Sequence, residues 1–103
     1  MMRRVRVGAI KGRHSLPVER YLFKATWLAT GPDLVTETRQ AVRKLYQDGV
    51  REVDFYPTGL TQVSVEAVGE MVRLGMSVRV FHYSHQTGAY FPGPAIKVHR
   101  RGA

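Results

Sequence analysis

The sequence predicts a compact α/β domain of the Rossmann-like kind, in two or three layers, spanning residues 1–103 as a single domain. Several short segments alternate apolar and polar residues with the period of two that is typical of strands. Two longer segments repeat apolar residues at helical spacing, and each is followed by a glycine. Along the chain these segments follow the order β-β-α-β-α-β-β, which favours a largely parallel sheet with helical crossovers.

The first two predicted strands cover residues 3–10 and 18–29. In the first, apolar residues alternate with arginines and a glycine, which is the pattern of a strand with one exposed face. A loop rich in glycine and proline follows it. Aromatic side chains in the second segment fall on one parity, which favours a strand. A helix over residues 18–28 stays open as an alternative.

The middle of the chain predicts a helix, a buried strand and a second helix. Asp33 can cap the first helix, and Gly49 supplies a left-handed stop at its end. Residues 50–56 form a short and largely buried strand. The second helix covers residues 61–74 and is closed by Gly75.

The end of the chain predicts a hairpin. Residues 76–83 alternate as a fourth strand, with two valines and a histidine on one face and an arginine and two aromatic residues on the other. Residues 84–88 form the turn into a strand over residues 89–92. Residues 96–99 either extend that strand or add a final one.

The net charge of +8 is unevenly placed along the chain. No acid precedes Glu19 and none follows Glu70, so both ends of the sequence are purely basic. If the two ends meet in the fold, they form one positive face that attracts phosphate-bearing ligands. The alternative is a general surplus of charge that serves solubility.

Composition also excludes some classes of function. The absence of cysteine removes disulfides, thiolate metal sites and cysteine nucleophiles. No apolar run approaches the roughly 20 residues that a membrane helix requires. The N-terminal residues lack the apolar region of a signal peptide, so we expect a cytoplasmic protein.

Ligands of parallel α/β sheets bind beyond the carboxyl ends of the strands. The helical crossover makes the third and fourth strands parallel, and if the first strand is also parallel to them, three loops share one edge. These loops gather more donors and titratable groups than any other part of the chain: Lys11, Arg13, His14 and Ser15; Thr58, Gly59, Thr61 and Gln62; His82, Tyr83, Ser84 and His85.

The second of these loops joins a buried strand directly to a helix start, where unpaired backbone N–H groups attract phosphate. Gly59 would let the backbone approach a ligand closely. The loop matches neither a Walker loop nor the dinucleotide fingerprint. The alternative is a plain strand-to-helix turn that Thr61 caps.

The first loop places Lys11 and Arg13 beside His14, whose imidazole can transfer protons near neutral pH. Such a group can deprotonate a 2′-hydroxyl or protonate a leaving oxygen while the cations stabilise the phosphate. A solvated hairpin loop is the alternative. His82 and His85 would face opposite sides of the sheet, so no metal site is expected.

The second half of the chain, about residues 50–92, also resembles a known family. The matching stretches are Phe55-Tyr56-Pro57-Thr58-Gly59, residues 63–71, residues 78–83 and Gln86-Thr87-Gly88-Ala89-Tyr90. They are similar to the ring nucleases, small CRISPR-associated proteins of the cyclic-oligoadenylate-sensing superfamily. The chain departs from that pattern at Ser84-His85-Gln86, where members of the family often carry an acid and a proline.

The resemblance implies a homodimer or larger assembly that binds a cyclic oligoadenylate in a symmetric basic pocket and cleaves it without a redox cofactor. The first hypothesis is therefore a metal-independent phosphodiesterase acting on a cyclic oligoadenylate or another small oligoribonucleotide. His14 or His82 would act as acid or base, and Arg13 and Lys11 would bind phosphate. A second phosphate would be held at the helix start by Thr58, Gly59 and Thr61. The alternative hypotheses are a non-catalytic nucleotide- or RNA-binding regulator of a phage or defence system, and a sensor that binds a nucleotide without turnover.

Overall fold

A computed structural model describes residues 3–10, 17–23, 32–57 and 61–96. The strands and helices follow the predicted order, and the mixed α/β class is confirmed. The elements are β1 (Arg3–Ile10), β2 (Arg20–Phe23), α1 (Pro32–Gln47), β3 (Val50–Tyr56), α2 (Thr61–Arg73), β4 (Ser77–Ser84) and β5 (Ala89–Ile96).

The strands described here form one sheet in the order β2-β1-β3-β4-β5. β1 is parallel to both of its neighbours, β2 and β3, and β3 is parallel to β4. Only the pairing of β4 with β5 is antiparallel among these strands. The parallel arrangement of β1, β3 and β4 meets the condition under which the loops after them share one edge.

Both helices cover the same face of the sheet. α1 connects β2 to β3 and α2 connects β3 to β4, so both crossovers step across the sheet in the same direction. Right-handed crossovers that cross the sheet in the same direction place their helices on the same face of the sheet. α1 and α2 accordingly pack against each other, and the described part of the domain has two layers rather than three.

The core lies between the helices and the sheet, where alternate strand residues point. Val5 and Val7 of β1 are buried, whereas Arg4 and Arg6, which alternate with them, are exposed on the other face. Phe55 of β3 is fully buried in the same layer. The helices contribute side chains at the predicted helical spacing: Leu34, Val42, Leu45, Val63, Ala67 and Met71.

The helices end where the sequence predicts. Gly49 has a φ of 93° and Gly75 has a φ of 83°, both in the left-handed region that glycine adopts without strain. Pro32 is the first residue of α1, a position where its missing N–H costs no helical hydrogen bond.

Some strand boundaries differ from the predictions. β2 begins at Arg20 rather than at residue 18, and residues 24–29 of the predicted strand lie outside the described ranges. β5 runs from Ala89 to Ile96, so residue 96 extends the strand predicted over residues 89–92 rather than adding a final one, and residues 97–99 lie outside the described ranges. β5 pairs with β4 on both sides of Pro92 and Pro94. An edge strand tolerates prolines because one side of its backbone has no partner strand.

Neither described helix is long and apolar enough to cross a membrane.

Candidate functional site

The chain diverges at the carboxyl ends of β1 and β3, which are neighbours in the sheet. From β1 the chain continues to β2 on one side, and from β3 it continues through α2 to β4 on the other. Open α/β sheets bind ligands at such a switch point, in the crevice beyond the carboxyl ends of the strands. The topology therefore points to the edge at which the sequence places its candidate residues.

Most residues of the first two predicted loops lie outside the described ranges. They are Lys11, Arg13, His14 and Ser15 after β1, and Thr58 and Gly59 after β3. Thr61 and Gln62 are described as the first two residues of α2, and both are exposed. The first turn of α2 contains no acidic residue, whereas that of α1 contains Asp33. No carboxylate of this first turn therefore offsets the positive end of the α2 dipole.

The third group of predicted site residues is divided between the two faces of the sheet. His82 lies on the same face of β4 as the buried Val78, and its ring centroid is 5.7 Å from that of Phe91. Tyr83 lies on the opposite face, with its ring centroid 5.1 Å from that of His85. His82 and His85 therefore do not converge. Within the described ranges, no three potential metal-ligating side chains form a group.

An aromatic cluster occupies the face of the sheet opposite the helices. Its members are Tyr21, Tyr56, Phe81, Tyr83 and Tyr90. The rings of Tyr56 and Phe81 are stacked, with centroids 4.6 Å apart and planes 14° apart. Tyr90 meets Tyr56 and Tyr83 edge to face at 5.3 Å and 5.2 Å. These contacts join side chains from β3, β4 and β5 into one aromatic surface.

Gly8 extends this arrangement across β1. It is in register with Tyr21 of β2 on one side and Tyr56 of β3 on the other. Because Gly8 has no side chain, the rings on the two flanking strands can approach each other over it. Tyr21 is close enough to Tyr90 for the two phenols to interact electrostatically.

The environment of the cluster keeps two of its phenols protonated. Burial, followed by the Asp54 carboxylate, raises the pKa of Tyr56. Burial, followed by the phenols of Tyr83, Tyr21 and Tyr56, raises the pKa of Tyr90. A phenol with the ordinary pKa is already uncharged at neutral pH, and both shifts move ionisation further from that range, so both hydroxyls can donate hydrogen bonds.

Ion pairs lie on the same face, towards the amino ends of the parallel strands. Arg4 donates from Nη2 to Asp54 Oδ1 over 2.7 Å and from Nε to Oδ2 over 3.2 Å. Arg6 donates from Nε to Glu19 Oε1 over 3.1 Å. Arg79 is in register with Asp54 but makes no ion pair among the described residues, and its buried Nε lacks a hydrogen-bond partner. Within the described ranges, two carboxylates of this face are thus neutralised, and Arg79 and Glu52 are left without an ion pair.

The excess positive charge follows the ends of the strands. All 8 acidic residues lie within the described ranges. Outside them are only basic charges: Lys11 and Arg13 after β1, Lys24 after β2, and Lys97, Arg100 and Arg101 after β5. β5 is antiparallel to β4, so it ends at the opposite edge of the sheet from β1 and β2. The described strands that precede these residues in the sequence therefore end at two opposite edges of the sheet.

The aromatic cluster does not follow from the sequence. Alternation places Phe81 and Tyr83 on one face of a strand, which is confirmed, but only the order of the strands brings Tyr21 and Tyr56 beside them. A usable signal was that Tyr56 has the parity opposite to that of Val53 in β3, and that Phe81 and Tyr83 have the parity opposite to that of Val78 in β4.

Comparison with known protein families, with curated proteins and with solved structures finds no match to this chain.

Proposed function

We propose that this domain binds a short oligoribonucleotide, linear or cyclic, at the carboxyl edge of β1 and β3. The observation that carries the proposal is the switch point, where two neighbouring parallel strands send the chain in opposite directions. The divergence of the chain by itself forms a crevice at such a point, and side chains and backbone groups at the strand ends can line that crevice.

Charge supports a phosphate-bearing ligand at this edge. Lys11 and Arg13 follow β1 in the sequence, and Lys24 follows β2. At the start of α2, backbone N–H groups have no partner within the helix, and no acidic residue of the first turn offsets the positive end of the helix dipole. A nucleotide chain carries repeated phosphates that can use both features at once.

The same edge favours a second candidate, a metal-independent ring nuclease-like phosphodiesterase. Because β1 is parallel to β3, the segment that contains Arg13 and His14 begins at the same edge as the segment before Thr61. His14 would take the proton of a ribose 2′-hydroxyl, whose oxygen then attacks the adjacent phosphorus, while Arg13 stabilises the phosphate charge. The 5′-oxygen would leave with a proton from a second acid. His82 fits that role less well, because it does not converge with the other predicted site residues of its strand end, Tyr83 and His85, which meet on the opposite face.

A homodimer belongs to the same proposal. A domain of 103 residues leaves much of its surface wet, and Val65 and Ile96 are 65% and 40% exposed. Pro92 and Pro94 have no N–H to donate from β5, so pairing between two such edge strands is disfavoured and contact through side chains is expected. Sedimentation velocity at micromolar concentration tests this, and a monomer with and without oligonucleotide would refute it.

The test of the proposed site compares two basic residues at opposite edges. We expect Arg13→Ala to weaken binding of a fluorescent hexa-adenylate by about 10-fold, because a built site loses a direct phosphate contact, at a cost of ~1.4 kcal/mol. Arg100→Ala removes the same charge beyond the end of β5 and should change affinity by less than about threefold. Thermal unfolding of both variants should stay close to that of the unmodified protein, as is usual for surface changes.

The result distinguishes a built site from a diffuse one. Equal weakening by Arg13→Ala and Arg100→Ala would show that only overall charge attracts the ligand. Chromatography of cyclic tetra- and hexa-adenylate after incubation separates binding from cleavage. Cleavage products that the unmodified protein forms and the His14→Ala variant does not form would support the phosphodiesterase. A ligand that binds but stays intact would support the regulator or sensor.

A further inference from the structure

We infer that the aromatic cluster binds the unpaired bases of the ligand, with Tyr83 as the residue on which a base stacks. This inference rests on the proposed function and adds a second part to the site. The switch-point edge would hold phosphates, and the sheet face beside it would hold bases.

Exposure within the cluster assigns different roles to its members. Tyr83 is 48% exposed, so much of its ring is accessible. Tyr56 is only 6% exposed and its ring is stacked with that of the half-buried Phe81, so Tyr56 supports the surface rather than forms its accessible part. A base can therefore reach Tyr83 without any rearrangement of the sheet.

The ring of Tyr83 is held in place by two neighbours. Tyr90 contacts it at 5.2 Å with planes 62° apart, and His85 contacts it at 5.1 Å with planes 84° apart. Aromatic pairs favour this edge-to-face arrangement. A ring that is already ordered loses little conformational entropy when a ligand binds, which favours stacking.

The net charge of the chain favours a nucleic acid as the occupant, and the charges beside the cluster do not oppose it. The carboxylates of Asp54 and Glu19 are already paired with Arg4 and Arg6, and Arg79 has no ion pair among the described residues. The whole chain carries a net charge of +8. Aromatic rings on an exposed sheet face, in a protein that attracts phosphate, are suited to stacking the bases of single strands.

The cluster is also continuous with the proposed phosphate edge. Tyr56 is the last residue of β3, and the chain passes from it through Pro57 towards the start of α2. Glu52, an acid without an ion pair in the described ranges, lies four residues earlier, which in a strand is about 13 Å away. A strand bound at the edge can therefore lay bases over the cluster without meeting that carboxylate.

The test uses a matched pair of aromatic residues on the β4–β5 hairpin. Tyr83 and Phe91 are 48% and 49% exposed and lie on opposite faces. We expect Tyr83→Ala to weaken binding of a fluorescent hexa-adenylate by about 5- to 150-fold, the range measured for the loss of one stacked base. Tyr83→Phe keeps the ring and should stay within about twofold. Phe91→Ala should also stay within about twofold, and circular dichroism should show that each variant folds.

A hexamer of abasic ribose phosphates separates this inference from the proposed function. If the unmodified protein binds neither oligomer, the proposed function fails and this inference fails with it. If it binds the abasic oligomer as tightly as hexa-adenylate and Tyr83→Ala changes nothing, only the base-stacking inference is overturned. If Phe91→Ala weakens binding as much as Tyr83→Ala, or if Tyr83→Ala converts a dimer to a monomer, the cluster is not a base-binding surface.

Discussion

The buried carboxylate of Glu70 offers a quantitative test of the packing between the helices. Its side chain is 1% exposed and lies between two arginines, Arg43 of α1 and Arg73 of α2. Its Oε2 accepts hydrogen bonds from Arg43 Nε at 2.9 Å and from Arg73 Nη2 at 2.7 Å, and its Oε1 accepts one from Arg73 Nε at 2.9 Å. Glu70→Gln keeps the shape but replaces one acceptor oxygen with a donor.

The expected loss is about 2 kcal/mol of unfolding free energy. In the position of Oε2, the glutamine oxygen can keep the bonds from Arg43 Nε and Arg73 Nη2, and its amide nitrogen then faces the third donor, Arg73 Nε. Each hydrogen bond to a charged group contributes about 1.5–3 kcal/mol. The side chains of Arg43 and Arg73 are 49% and 59% exposed, so each can bind water when a hydrogen bond to residue 70 is lost. The net loss of unfolding free energy is therefore smaller than the summed contributions of the hydrogen bonds. For a domain of this size the loss corresponds to roughly 8–16 °C in Tm.

The effect depends on pH in a defined direction. The hydrogen bond from Arg73, opposed by burial and aided by Arg43, lowers the pKa of Glu70 below its ordinary value of 4.5. A lowered folded-state pKa means that the stabilisation is complete above that ordinary value and is lost as the pH falls through the folded-state pKa. Glutamine does not titrate, so the difference between the two proteins should shrink below about pH 4.5.

Urea unfolding followed by circular dichroism at pH 7 and at pH 3 measures both quantities. Glu66→Gln is the matched control, because Glu66 makes one longer contact of 3.5 Å with Arg39 and should lose less than about 0.5 kcal/mol. A Glu70→Gln loss below that level, or a loss that is the same at both pH values, would refute the reasoning.

Two glycine substitutions should have opposite signs. Gly49→Ala places a Cβ in open space but at a φ of 93°, so it should destabilise the fold by about 1 kcal/mol, measured by thermal unfolding; an unchanged Tm would contradict the strained backbone. Gly69→Ala also meets open space but lies inside α2 and is exposed, so it should stabilise the protein by about 0.5–1 kcal/mol; a lowered Tm would show that a close contact exists at that position.

The sequence by itself determined the elements and the faces that they bury. Helix ends are local, because the left-handed conformation that a glycine such as Gly49 or Gly75 adopts depends on that residue alone. Strand faces are local too, since successive side chains point to opposite sides, and Val5 and Val7 are buried as their alternation predicts. The start of β2 was less accurate, and the end of β5 was left between two alternatives, because the length of an edge strand depends on the partner beside it.

Only the tertiary structure decided which residues meet. The order β2-β1-β3-β4-β5 places Gly8 between Tyr21 and Tyr56 and brings Tyr90 to Tyr56 and Tyr83. The same order creates the switch point between β1 and β3 and puts both helices on one face. Alternation fixes the face on which a side chain lies, but neighbours across strands come from pairing between distant segments. Such pairing follows from the burial of the whole apolar layer, which no local stretch of the sequence specifies.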